Sequence, residues 1–361
     1  MPMMEKNGNE TVQQRLARLV VEDITGQSFD MSNAVVGPLE TNYFSFIFSI
    51  ETHTSLNAQK VFVKIPKEDL RQRSKSILPI SPADRSMAED EVESLRALAD
   101  QWHSADLGVS WVRLRKYFPQ YNAIVTDAAP GADAFSVFRR LDLRSRFGSK
   151  RDGIRLREAM TRLGAALGRF HQGNARNAIF HVNKAMPKLE RYCRELGDNV
   201  RSPMPNYVIQ TLKSISDMEI EAIEVSTLKG IDIRNVLMDE KDRLFLFDPG
   251  RMKRICREAD LARFIMTCRI LYWGSGLFLL GLRPDSNAED AFLEAYYSHS
   301  APPSPKLLSF FLIKEQLKHW HTAMDSLWRL PWSMPLKRLV AAIYVNPFYN
   351  RQLAVELTRV V

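Results

Sequence analysis

One stretch, Leu228 to Met252 (LKGIDIRNVLMDEKDRLFLFDPGRM), constrains this chain more than any other. It opens on a turn carrying Asp232 and Asn235, followed by the apolar run Val236 to Met238. Asp239-Glu240-Lys241-Asp242 then makes a polar turn, and a second apolar run, Leu244 to Phe247, delivers Asp248 ahead of Pro249-Gly250. Two short apolar runs around a charged turn predict a β-hairpin. The hairpin carries an amide just before its first strand and a carboxylate just after its second, so both leave at one end of a rigid support. A hard cation such as Mg²⁺ favours that pair of oxygens and completes its shell with water and phosphate. An ordinary surface hairpin with a capping Asp and Asn is the plainer reading of the same residues.

The rest of the composition sets bounds. A chain of 361 residues is long enough for one large domain or two lobes. A formal charge of +8 suits anionic partners such as nucleotides, phosphosugars or membrane surfaces. The cysteines, Cys193, Cys256 and Cys268, are widely spaced, which argues against a disulfide framework and against zinc. The run Leu271 to Leu282 is too short and too glycine-rich to span a bilayer. The first residues are polar, with no apolar leader, so a reducing cytoplasm is the expected compartment.

Read in order, residues 11 to 23 predict an amphipathic helix with Val12, Leu16, Leu19 and Val20 on one face. Phe44, Phe46 and Phe48 alternate as in a strand, and Lys60 to Ile65 makes a second strand that carries Lys64. The turn entering this antiparallel pair holds Gly37, Thr41 and Asn42; it is either a phosphate cradle or a plain strand connection. Residues 66 to 83 are polar and Pro-containing and predict a loop. From Ser86 a helix places Glu91, Leu95 and Leu98 on one face. Glu91, or alternatively Glu93, is then placed to pair with Lys64 and orient its ammonium. Strands at Trp111 to Tyr117 and Ala123 to Asp127 lead to AAPGADA, a linker whose exposed backbone at Ala128 and Ala129 suits an adenine edge.

Beyond the linker the pattern is helical. The arginine-rich run from Phe138 to Glu158 reads as a solvated helix-loop-helix or as an anion-binding face. Leu156, Met160, Leu163, Leu167 and Phe170 mark a long buried helix ending at His171, which is expected to be a cap or a core histidine rather than catalytic. A looser helical region is predicted from Lys188 to Ile215, and helices again from Glu258 onward. The aromatics Trp320, Trp328, Trp332 and Phe348 are expected in a core, with peripheral membrane contact as the other reading. His319 and His321 lie two apart, on different helix faces, which argues against a metal pair.

Taken in this order, the motifs resemble those of the aminoglycoside and choline phosphotransferase-like branch of the protein-kinase-like superfamily, over residues 35 to 300 or so. GPLETNYFSFIF resembles the family's strand turn, VFVKI its strand lysine, EVESLRAL its helix glutamate and IVTDAAPG its hinge. LGAALGRFH is similar to its buried helix, NVLMD and LFLFDPG to its metal-binding Asn and Asp, and Asp260-Leu261-Ala262 and FLEAY to its later helices. One departure stands out. The family's catalytic loop reads His-Gly-Asp, with its Asp five residues before the metal Asn. Here Lys229-Gly230 resembles the His-Gly and Gly230 occupies the acid's place, while Asp232 lies only three before Asn235. Two missing loop residues can displace a carboxylate by up to about 7 Å, and a base must lie within hydrogen-bond reach of the acceptor.

The resemblance implies an α+β, two-lobed protein-kinase-like fold: an antiparallel-sheet N-lobe over residues 1–127, a hinge at 128–134 and a helical C-lobe over 135–361 that contains the hairpin 228–252. It implies ATP and Mg²⁺ as cofactors. Gly37, Asn42, Lys64, Glu91, Asp127 and Ala129 would contact the nucleotide, Asn235 and Asp248 the metal, and Asp232 would act as base. The expected activity is phosphoryl transfer to a hydroxyl of a small molecule or glycan, with no nucleic acid as partner. The alternatives are a pseudokinase-like nucleotide-binding scaffold and, on charge alone, a basic module for membranes or anionic polymers.

Overall fold

A computed structural model describes residues 11–26, 34–42, 44–53, 58–68, 76–200, 202–228, 230–275, 280, 286–302 and 304–360. Lys229, most of the glycine-rich end of the 271–282 run and residues 69–75 of the predicted loop lie outside the described residues. The chain divides into two compact units. The first comprises Met1–Trp102, Ser110–Pro130 and Phe245–Met252; the second comprises His103–Val109, Gly131–Leu244 and Lys253–Val361. The first unit therefore includes the far end of the hairpin, with Asp248, which no contiguous cut of the sequence assigns to it.

In the first unit, Val12–Thr25 (α1) begins at a capping box in which the Thr11 hydroxyl and the Gln14 side chain each accept the other's amide. Next come Ala34–Val36 (β1), Glu40–Thr41 (β2), Ser45–His53 (β3), Ala58–Pro66 (β4), Pro82–Gln101 (α2), Val109–Trp111 (β5), Leu114–Phe118 (β6) and Ala123–Asp127 (β7). All of these strands except β5 form an antiparallel sheet in the order β1-β3-β4-β7-β6, with β2 also pairing with β3. Strand alternation sorts its two faces. Phe46, Phe48, Ile50, Val61, Val63 and Ile65 pack with Leu16 and Val20 of α1. Ile124 packs with Ala88, Val92 and Leu95 of α2. Lys64, one residue from Val63 and opposite Ile124 in register, falls on the α2 face.

Helix α2 begins earlier than the expected Ser86. Ser81 caps it and forms a capping box with Asp84, and Pro82 occupies the first turn, where its missing N–H is not needed. The proline that reads as a loop in the sequence is thus a helix start. Buried Asp84 also accepts the Glu68 amide at 2.8 Å and the Lys67 ammonium at 3.2 Å, tying the end of β4 to the helix.

The second unit runs through Ala132–Asp133 (β8), Ala134–Arg146 (α3), Lys150–Gln172 (α4), Arg176–His181 (β9), Met186–Asn199 (α5), Met204–Ser214 (α6), Glu219–Leu228 (β10), Val236–Met238 (β11) and Leu244–Leu246 (β12), the last ending in the first unit. Met252–Cys256 (β13), Glu258–Ser275 (α7), Ser286–Tyr297 (α8), Pro305–Arg329 (α9), Met334–Val340 (α10), a π-turn at Ala341–Val345 and Asn346–Val360 (α11) complete it. The looser helical region is two helices, α5 and α6. The sequence reading missed the strands around them: β9 and β10 pair antiparallel from Glu219↔His181 to Glu224↔Arg176, within a sheet ordered β13-β10-β9. Glutamates at 219, 221 and 224 break the apolar alternation that would have marked the strand.

The buried helix α4 packs closely on α8. A Cβ added at Gly164 would stand 2.1 Å from the Phe292 carbonyl oxygen, so the contact requires a glycine. Gly164→Ala is expected to lower stability by about 1–3 kcal/mol through overpacking, despite the better helix propensity of alanine. Chemical denaturation checks this, and an unchanged midpoint would show that the helices separate freely.

Candidate active site

Two carboxylates of the first unit meet around Lys64. Its ammonium donates to Glu91 Oε1 and Oε2 at 2.9 and 2.8 Å and to Asp248 Oδ1 at 2.7 Å. Sequence spacing had allowed Glu91 or Glu93; the helix turns Glu91 inward, where it is buried. Burial alone would depress the Lys64 ammonium, but Glu91 and Asp248 outweigh it and hold the group above the usual lysine range. Burial also raises Glu91, with Lys64 opposing and Asp248 adding to the effect.

Helix α2 also fixes the segment that delivers Asp248. Ser94 Oγ accepts the Met252 amide at 3.0 Å, and Asp90 pairs with Arg251 at 3.4 Å. Asp90, Glu91 and Ser94 are neighbours on one face of the helix, so a single surface holds both ends of the Asp-Pro-Gly turn. Within that turn Asp248 has φ +53° and Gly250 φ +62°. A left-handed non-glycine residue is a strained conformation that persists where its surroundings fix it. Its side chain is 44% exposed, and among the described residues only Oδ1 is engaged.

The remaining first-unit candidates contribute mainly backbone. Gly37 donates its amide to the Ser49 carbonyl at 2.8 Å and accepts from Gln13 Nε2 at 2.9 Å. A Cβ there would lie 2.6 Å from Ser49 Oγ, so close passage of β3 accounts for this glycine, and its amide is not free for a phosphate. Asn42 donates its amide to Ser45 and leaves its side chain exposed. At the end of β7, the Asp127 carboxylate pairs with Arg115. The Ala128 amide donates to the Lys60 carbonyl at 3.0 Å, which removes it as an adenine contact; Ala129 follows it in the linker.

In the second unit, a network of main-chain bonds builds the loop after β10. Buried Asp260 accepts the Leu228 amide at 2.8 Å, while His171 bridges Asp260 (3.4 Å) and the Tyr296 hydroxyl (2.9 Å). His171 is therefore the core histidine the sequence led us to expect, and it braces the loop from behind. Arg263 Nη1 donates to the Leu228 carbonyl at 3.0 Å. Asn235 Nδ2 donates to the Gly230 carbonyl at 3.0 Å, which orients the amide. Asp232 begins the short helical turn Ile233–Asn235, and its Oδ1 accepts the Arg234 amide at 2.9 Å. Both Asp232 oxygens are also bonded to the Arg234 guanidinium. Sequence reasoning missed Arg234 and Arg263, because nothing in an isolated arginine says which loop it will meet.

The Asp248 carboxylate of the first unit and the Asn235 amide of the second are each hard oxygen donors of the kind a magnesium ion takes. Among the described residues no group of three or more His, Cys, Asp or Glu is placed to hold a metal.

The hairpin turn is as the sequence predicts. Asp239 donates its amide to the Arg243 carbonyl at 3.0 Å, and its carboxylate accepts the Lys241 and Arg243 amides. Among the described residues no helix is long and apolar enough to cross a membrane.

No protein-family model and no curated protein matches the sequence. Solved structures do match the fold. The chain is similar to a choline kinase from Cryptosporidium parvum at 10% identity and a TM-score of 0.57, with 96% of this chain and 94% of that one covered. It is also similar to the choline kinase LicA from Streptococcus pneumoniae (16% identity, TM-score 0.48, 96% and 98% covered). A macrolide 2'-phosphotransferase, MphH from Brachybacterium faecium, matches at 12% identity and TM-score 0.48, with 91% and 97% covered. The likeness to the first of these shows that the chain has the protein-kinase-like fold of the choline kinases.

Proposed function

We propose that this protein transfers the γ-phosphoryl group of Mg-ATP to a hydroxyl of a small molecule or glycan in the cytoplasm. The observation that carries this reading is the Lys64 cluster: a half-buried ammonium oriented by a helix glutamate and bonded to the Asp of an Asp-Pro-Gly turn. In this reading Lys64 holds the nucleotide phosphates, Glu91 orients it, and Asn42, Asp127 and the Ala129 backbone contact the nucleotide. Asn235 and Asp248 share the metal, which when bound neutralises charge on the transferring group. Asp232 takes the acceptor proton through the lone pairs Arg234 leaves open.

The engagement of Asp232 by Arg234 favours a second reading, a nucleotide-binding scaffold with little turnover. A thermal-shift titration with ATP, with and without Mg²⁺, followed by ATP hydrolysis in wild type and Asp232→Asn, separates the two. A magnesium-dependent shift and hydrolysis lost in the variant support the enzyme. A shift with equal background hydrolysis in both proteins supports the scaffold, and no shift sinks both.

A further inference from the structure

Near the end of the second unit, helix α10 and the π-turn after it leave an apolar ridge open to solvent. Leu336, Leu339 and Ile343 recur at helical spacing on one side. With Trp332 just before the helix and Met334 at its start, they are 43–54% exposed. Of the aromatics prominent in the sequence, Trp320 and Phe348 are buried, whereas Trp332 stands on this ridge. The ridge is held firmly, because the buried Lys337 ammonium donates to the Trp328 carbonyl at 2.8 Å and pins α10 to the end of α9. Contiguous apolar side chains left in water mark an interaction surface.

Beside the ridge lies a cavity of about 740 Å³. Met334 belongs to both, and the small side chains of Ala341 and Ala342 in the π-turn leave the cavity its room. Its polar wall is Arg338, Asn346, Asn350 and Ser202. Asn346 Oδ1 accepts from Trp320 Nε1 and Asn350 Oδ1 from the Ser202 hydroxyl, each at 3.1 Å. The two amide nitrogens and the Arg338 guanidinium are then left without a partner among the described residues, and no carboxylate lines the cavity. These groups are donors, and what they suit is an anionic oxygen group such as a phosphate. The surrounding charge has the same sign. From Ser326 to Val355 the chain holds Arg329, Lys337, Arg338 and Arg351 and neither Asp nor Glu. Arg329 is paired with Asp325 at 3.1 Å, but Arg338 and Arg351 are exposed with no carboxylate on either among the described residues.

We propose that this face docks on a membrane of anionic phospholipid, with the ridge at the boundary between headgroups and acyl chains and a lipid phosphate in the cavity against Arg338, Asn346 and Asn350. An apolar ridge with a tryptophan at its edge, flanked by unpaired arginines, matches such a boundary in both polarity and charge. A second copy of the chain is the poorer occupant. A two-fold contact pairs a patch with itself, which here would bring two acid-free, arginine-bearing segments together. Docking of this kind is independent of phosphoryl transfer.

The test is co-sedimentation of the full chain with phosphatidylcholine vesicles, with and without phosphatidylglycerol, at low and high salt. The expected result is binding to the phosphatidylglycerol vesicles that salt weakens, and little binding to phosphatidylcholine alone. A blue shift of tryptophan emission should accompany binding and shrink in Trp332→Phe. Leu339→Ser/Ile343→Ser should weaken binding by about 10- to 100-fold, the burial of two aliphatic side chains, and Arg338→Gln by about fivefold, the effect of one cation at such a surface. All of these side chains are exposed, so the unfolding midpoints should match wild type, whereas a merely structural role would lower them. If the double variant fails to fold, Leu339→Ser alone gives the same reading by a weakening of about fivefold. No binding to anionic vesicles, equal binding with and without phosphatidylglycerol, or binding unchanged in the variants overturns the proposal. A thermal shift with inorganic phosphate in the absence of vesicle binding also overturns it and assigns the cavity to a soluble anion. A wild-type dimer in sedimentation equilibrium that Leu339→Ser/Ile343→Ser splits, again without vesicle binding, overturns it in favour of a second copy.

Discussion

Asp248→Asn is expected to reduce phosphoryl transfer by about 10³-fold while leaving the fold intact. Asparagine keeps the shape and one oxygen, so it can still accept from Lys64, but it lacks the charge that the proposed magnesium ion would need at this position. The change leaves Lys64 facing Glu91 alone, a neutral pair in place of one ammonium between two carboxylates. Stability should therefore change by less than about 1 kcal/mol, since the carboxylate is partly exposed. Single-turnover kinetics with Mg-ATP measure the first effect and urea denaturation the second. Turnover within about tenfold of wild type, beneath the usual range for such electrostatic groups, would remove Asp248 from the metal site.

The opposite substitution should act mainly on stability. Lys64→Met leaves the buried Glu91 carboxylate with no counter-charge, and breaking such a pair costs about 3 kcal/mol at pH 7. The pH dependence follows from the sign of the shift. Glu91 is already raised by burial in the native protein, and losing its cation raises it further. The penalty is therefore present above the unfolded glutamate value, near about pH 4.3, and disappears below it, where Glu91 is protonated in both states. Lys64→Met/Glu91→Leu should recover stability to within about 1 kcal/mol of wild type. A single variant as stable as wild type at pH 7 would mean the cluster is solvated and not oriented.

His319 gives an independent check within the second unit. It is buried with Nε2 unpartnered among the described residues, and burial, with Lys318 and Arg234 adding and Glu315 and Asp232 opposing, lowers it to about 4. A histidine held neutral in the native state takes up its proton first in the unfolded chain. Stability should fall by about 2–3 kcal/mol as the pH drops from about 6.5 to 4, and His319→Gln should flatten that slope. An equal slope in the variant would assign the loss to other groups.

The sequence by itself determined the local elements and the residue types of the site. Alternation in FSFIFSI and KVFVKI set the strands and put Lys64 on one face, and the spacing of Glu91, Leu95 and Leu98 set the helix face that meets it. The order of apolar run, charged turn, apolar run and Asp-Pro-Gly set the hairpin. These are short-range patterns, written by the two-residue and 3.6-residue periods of the backbone. What only tertiary structure decided depends on contacts between distant segments. Glu91 rather than Glu93 faces Lys64 because α2 settles on the sheet through Ala88, Val92 and Leu95. Gly37 is explained by the passage of β3, which the turn's own sequence does not reveal. Arg234 on Asp232 and Arg263 on the Leu228 carbonyl arise from helix packing, and no periodicity of the chain encodes which charge a long side chain will meet.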